Sequence, residues 1–121
     1  MKKIAIIDDE ASILDVLNRF LSRKELFEID TFENPVTALN TIKNTSYDLI
    51  LCDIMMPQMN GIELVKQIKE FKPNQKIIMM TAFSTEEKLI ECDDLEVTDY
   101  VTKPFVSLRD VENKILDNLG L

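Results

Sequence analysis

Five side chains stand out because each follows or ends a strand-like run and each can handle charge: Asp8, Asp9, Asp53, Thr81 and Lys103. Three carboxylates drawn together repel one another unless a cation joins them. Hard oxygen ligands select Mg²⁺, Mn²⁺ or Ca²⁺. A site offering few protein oxygens favours Mg²⁺, which keeps several waters and completes its shell with phosphate. A lysine and a hydroxyl facing such a cation suit a phosphoryl group: Lys103 offers positive charge, Thr81 a hydrogen bond. One carboxylate could then attack phosphorus as a nucleophile.

Those residues need elements that bring them together, and the chain supplies an alternating pattern. Strand-like runs occupy residues 3–8 (KIAIID), 27–32 (FEIDTF), 47–52 (YDLILC), 76–80 (KIIMM) and 99–102 (DYVT). The first, third and fourth are nearly continuous apolar, as strands covered on both faces should be. Between them run helix-period stripes: Ile13, Val16, Leu17, Phe20 and Leu21; Val36, Leu39 and Ile42; Ile62, Val65 and Ile68; Leu108, Val111, Ile115 and Leu119. Asn34-Pro35 marks one helix start, and Ser84 to Glu87 has capping-box spacing. The helix expected after Ser84 is the weakest, with a thin stripe of Leu89, Ile90 and Leu95.

Five strands alternating with five helices predict an α/β three-layer sandwich with right-handed crossovers. Ligands bind at the carboxyl ends of such strands. In the flavodoxin-like order 2-1-3-4-5, the second strand is an edge and the switch point lies between strands one and three. Asp8, Asp9 and Asp53 then converge there, with Thr81 and Lys103 beyond. Strand two ends in Phe32-Glu33, without a comparable group.

Composition narrows the chemistry. There is no histidine, which excludes Ser-His and Cys-His catalysis. The net charge of -8 makes direct nucleic-acid binding a poor fit and suits cations or basic partner surfaces. Two cysteines, one of them Cys52 inside an apolar run, do not make a disulfide framework. Its 121 residues predict one domain over 1–121, with no output domain. Lacking a leader or a membrane-length apolar run, it is expected to be soluble and cytoplasmic, with no membrane contact.

In this order, IAIIDDE at 4–10, DIMMPQMNG at 53–61, MMTA at 79–82 and YVTKPF at 100–105 resemble the response-regulator receiver domain of two-component signalling, across essentially the whole chain. The resemblance implies a phosphorylation-dependent switch rather than a metabolic enzyme. Asp53 would accept the phosphoryl group from a sensor histidine kinase or phosphotransfer protein. Asp9 would ligate Mg²⁺ directly, Asp8 mainly through water, and the Met55 carbonyl would add a ligand. Thr81 and Tyr100 would be the switch pair, with Ala82 leaving the phosphoryl group room. Lys103 would pair with phosphoryl oxygens, and the bond to Pro104 would be cis. Pro57 and Gly61 would shape the loop after Asp53. The output face would comprise the fourth helix, fifth strand and fifth helix, meeting an unknown target or a second copy in a homodimer. Self-phosphorylation from phosphodonors and slow autodephosphorylation would follow, the latter retarded by Met55 and Phe83.

Two positions depart from the pattern. Asn60 stands where an aspartate is usual, with little effect expected. Glu96 stands where a glycine usually ends the fourth helix, so that helix is expected to be frayed or reshaped.

Blander readings exist for each piece. Asp8-Asp9 could cap a helix, Thr81 could end a strand, Lys103-Pro104 could be a loop, and Tyr100 could be a core aromatic. The methionines 55, 56, 59, 79 and 80 read as filler. The charges from Glu86 to Asp94 read as a solvated helix face. An aspartyl-phosphate phosphatase or phosphotransferase would share the chemistry, but Met55 stands where it would need a second aspartate. A flavin carrier would need a hydroxyl- and glycine-rich phosphate loop after the first strand.

Overall fold

The computed structural model describes residues 1–82 and 97–121. Five strands form one parallel sheet: β1 (Lys2–Ile7), β2 (Phe27–Phe32), β3 (Leu49–Asp53), β4 (Ile77–Thr81) and β5 (Asp99–Thr102). Their order is β2-β1-β3-β4-β5, the flavodoxin-like order expected. Four helices are described: α1 (Ala11–Ser22), α2 (Pro35–Asn44), α3 (Gly61–Phe71) and α4 (Leu108–Leu119). The further helix expected after Ser84, with Glu96 at its end, lies outside the described residues.

The continuous apolar runs have a simple cause. Successive strand side chains point to opposite faces, and here both faces are covered. Ala5 and Ile7, Ile50 and Cys52, Ile77 and Met79 pack with Ala38, Leu39, Val65 and Ile68 of α2 and α3. Ile4 and Ile6, Leu49 and Leu51, Ile78 and Met80 pack with Leu14, Leu17, Leu21, Val111 and Ile115 of α1 and α4. Cys52 is wholly buried, as its apolar run implied.

Several helix starts follow side-chain chemistry. Asn34 accepts the Val36 N–H at 2.8 Å with Pro35 as the first helical residue. Asn60 accepts the Glu63 N–H at 2.9 Å, and Ser107 accepts that of Asp110 at 3.0 Å. Two valines of the expected stripes are corrected. Val16 and Val36 are exposed, because the buried faces run through Leu14, Leu17 and Leu21 on α1 and through Ala38, Leu39 and Ile42 on α2. The strand bounds also shift. Tyr47 lies before β3 and turns its hydroxyl to Asp30 at 2.7 Å, whereas Asp53 and Thr81 belong to their ladders.

Candidate functional site

Register brings the acids together. Ile7 of β1 lies opposite Cys52 of β3, so Asp8 and Asp53 follow at the same level on neighbouring strands. The Asp8 N–H donates to the Phe32 carbonyl at 3.1 Å, extending the β1–β2 ladder by one residue. Asp8 is fully buried and Asp53 is 4% exposed. Asp8 Oδ1 accepts the Glu10 N–H at 2.9 Å, while Glu10, the residue at the α1 N-cap, makes no side-chain cap. Neither aspartate is the cap residue.

On the other side, Thr81 ends β4 beside Thr102 of β5 and is buried. The Lys103 N–H donates to the Thr81 carbonyl at 2.7 Å, which places its side chain over the β1–β3 crevice. The Lys103–Pro104 peptide is cis. The Lys103 ammonium is hydrogen-bonded to Asp8 Oδ2 and lies 3.5 Å from Asp53 Oδ1. Beside it opens a cleft of about 400 Å³, lined by Glu10, Ile13, Ala82, Lys103, Pro104 and Phe105.

The loop after β3 is held from behind. The Gly61 N–H, at the start of α3, donates to the Ile54 carbonyl at 2.7 Å. A Cβ at Gly61 would fall 2.1 Å from the Asp53 carbonyl oxygen. Only glycine lets α3 begin against the backbone of the acid itself. Met56 is buried, whereas Met55 is 55% exposed.

The electrostatics are unbalanced. Burial, then the neighbouring charge of Asp8, pushes the Asp53 pKa up to about 6, against the lowering pull of Lys103. For Lys103, burial works to lower the pKa, but the bond to Asp8 and the charges of Asp8 and Asp53 outweigh it, and the net shift is upward. One partly buried ammonium thus serves two buried carboxylates. The carboxylates of Asp8, Asp9 and Glu10 also lie within 4.8 Å of one another. A set of hard anionic oxygens with surplus negative charge fits a divalent cation of the Mg²⁺ kind.

Of the residues picked from the sequence, Asp8, Asp53 and Lys103 make direct contact, with Thr81 at the same end of the sheet. Asp9 is exposed beside them. The Met55 side chain faces solvent, as suits a residue invoked only for its carbonyl. Tyr100 is half-buried against the α2–α3 side of the core. Phe83 lies outside the described residues. Glu10 had no role in the sequence reading. Its place in IAIIDDE, one residue past the acidic pair, was the available signal.

Comparison with known proteins agrees with this arrangement. A family model for the response regulator receiver domain matches residues 4–115. The transcriptional regulatory protein ResD of Bacillus subtilis is 42% identical over 103 residues, 85% of this chain and 42% of ResD. The chemotaxis protein CheY of Halobacterium salinarum is 38% identical over 105 residues, 86% of both chains. The crystal structure of a CheY-like receiver domain protein from Methanospirillum hungatei superposes with a TM-score of 0.92 at 31% identity, covering 99% of this chain and 94% of that one. The chain belongs to the response regulator receiver domain family. It spans less than half of ResD but most of the halobacterial CheY.

Proposed function

We propose that residues 1–121 form a single receiver domain that takes a phosphoryl group onto Asp53 from a histidine kinase or phosphotransfer protein. The observation that carries this reading is the pairing of a buried strand-end carboxylate, Asp53, with the Lys103 ammonium 3.5 Å away, on a side chain only 11% exposed. Asp53 Oδ attacks phosphorus, and the donor's leaving group departs with the bonding electron pair. Lys103 meets the charge on the transferring group, and the Thr81 hydroxyl donates to one of its oxygens. Magnesium, held by Asp8, Asp9, Asp53 and the Met55 carbonyl, would draw further charge off those oxygens.

The phosphorylated state then pulls Thr81 and Lys103 inward, with Tyr100 following. That biases a two-state equilibrium and reshapes the face that includes β5 and α4. This face would meet a downstream protein or a second copy. No membrane or nucleic-acid contact by this domain is invoked, and the setting is the cytoplasm. Among the described residues, no helix is long and apolar enough to cross a membrane.

The test is incubation with acetyl phosphate and Mg²⁺, followed by intact mass and amide NMR. Addition of one phosphoryl group, lost in Asp53→Asn, is the expected result. No mass gain, or shifts away from Asp53, Thr81 and Lys103, would sink the reading.

A further inference from the structure

Asn60 and Gly61 form the one Asn-Gly step in the chain. With no Cβ on the second residue, its backbone nitrogen can turn back onto the asparagine carboxamide, so this step is the chain's weakest point toward loss of a side-chain amide. Here both reacting groups are engaged elsewhere. Asn60 Oδ1 accepts the Glu63 N–H at 2.9 Å, which holds the carboxamide over the first turn of α3. The Gly61 N–H donates to the Ile54 carbonyl at 2.7 Å. Asn60 is exposed, so water reaches it. Behind the step there is no slack, because a Cβ on Gly61 would sit 2.1 Å from the Asp53 carbonyl oxygen.

We propose that Asn60 is a deamidation site held latent by the fold, exposed to reaction when the first turn of α3 lifts from the end of β3, and that its isoaspartyl product disables the acceptor. The Gly61 backbone nitrogen, its proton taken by base, attacks Asn60 Cγ. The new C–N bond closes a five-membered imide, the Cγ–NH₂ bond breaks, and ammonia leaves after regaining a proton. Water then adds to one of the two imide carbonyls and reopens the ring, with no oxidation or reduction at any step. Addition at Cγ gives an ordinary aspartate, which keeps the cap and places negative charge where a helix N-terminus favours it. Addition at the main-chain carbonyl routes the backbone through Cβ and inserts one extra atom just before Gly61. The Gly61–Ile54 bond and the close seat against the Asp53 backbone cannot both survive that insertion. The protein thereby carries an irreversible loss route whose rate is set by how often the start of α3 opens. The consequence for phosphoryl uptake rests on the reading of Asp53 above, whereas the chemistry at Asn60 does not.

The experiment ages the full chain in mildly alkaline buffer, with and without denaturing urea, and resolves asparagine, aspartate and isoaspartate at position 60 by peptide mapping. Conversion in the native protein should be at least about tenfold slower than in urea. At urea levels below the unfolding transition, it should rise in step with hydrogen exchange of the Gly61 amide. Separated isoaspartyl protein should take up phosphate from acetyl phosphate and Mg²⁺ more slowly than fresh protein, by roughly tenfold or more. Asn60→Asp should keep its uptake, and Asn60→Ser, which retains a cap without a carboxamide, should not lose uptake on ageing. Equal conversion rates with and without urea would overturn the proposal. So would an unfolded chain that stays intact at Asn60, or isoaspartyl protein as active as fresh protein. If fresh wild type takes up no phosphate, the reading of Asp53 fails and the acceptor clause with it, while the rate comparison still decides the latent site.

Discussion

Two charge clusters built around buried carboxylates are balanced in opposite ways. On α4, Glu112 is 2% exposed and meets two cations. Arg23 reaches it through both terminal nitrogens, at 2.5 and 3.2 Å, and Lys24 approaches to 3.5 Å. The Arg23 hydrogen bond leads in holding the Glu112 pKa below its ordinary value, against burial. At the strand ends, two buried carboxylates share one lysine, and the Asp53 pKa moves the other way, first through burial and then through Asp8. The first cluster is closed: two cations more than offset its one carboxylate, and it ties the end of α1 to α4. The second carries surplus negative charge, and function is expected where such a surplus is kept.

The largest expected effect breaks the open cluster. Asp53→Asn should abolish phosphoryl uptake from acetyl phosphate, read as the mass shift. It should also raise stability in chelator by about 1 kcal/mol, because it removes an under-compensated buried charge. Chemical denaturation measures the second outcome. A loss of stability would mean that Lys103 needs Asp53 more than the surplus argument allows.

Next comes the support behind the acceptor. Gly61→Ala must push α3 or the Asp53 backbone aside, because the new Cβ would sit 2.1 Å from the Asp53 oxygen. The expected cost is about 2–3 kcal/mol of stability. Phosphorylation should also slow by more than Mg²⁺ binding weakens. A variant as fast as wild type would show that the strand end tolerates the shift.

The closed cluster should respond through pH. Glu112→Gln should cost about 2 kcal/mol at neutral pH, because the Arg23 fork loses its anionic partner. Glu112 has a lowered pKa in the folded state against 4.5 as its ordinary value. Its contribution is therefore present above about 4.5 and fades as pH falls through the lower folded value. The stability gap between wild type and Glu112→Gln should shrink steadily on acidification. A gap constant with pH would mean that packing, not charge, carries it.

These clusters differ in how far they could be read from sequence. Asp8, Asp53, Thr81 and Lys103 were legible because each ends or follows a strand-like run, and parallel strands gather such ends at one edge of the sheet. The core was legible for the same reason, since both faces of β1, β3 and β4 are covered. Glu112 was not. It sits between Val111 and Ile115 and reads as a surface charge on an amphipathic helix. Its partner Arg23 lies 89 residues away, and no local pattern reports that distance. The preference of Lys103 for Asp8 over Asp53 is likewise a matter of ångströms between side chains from different strands. Tyr47 read as strand because aromatic and apolar neighbours favour β-structure. What decides its place is the hydrogen bond to Asp30.

The smallest expected effect sharpens the comparison by strengthening the closed side. Arg23 and Lys24 are delivered to Glu112 by the turn that follows α1, and that turn passes through Glu25 in the left-handed region at φ 56°. The Glu25 N–H donates to the Ser22 carbonyl at 3.2 Å, and the side chain is exposed. A non-glycine residue costs on the order of 1–2 kcal/mol in that conformation. Glycine relieves this but adds freedom to the unfolded chain. Glu25→Gly should therefore gain about 0.5–1 kcal/mol, seen as a rise of a few degrees in Tm. If the turn and the ion pair act as one unit, the gain should be smaller in a Glu112→Gln background, and a double-mutant cycle reads that difference. Equal gains in both backgrounds would separate the turn from the pair. Glu25→Gly would then relieve local backbone strain only, and the closed cluster would stand on its charges alone.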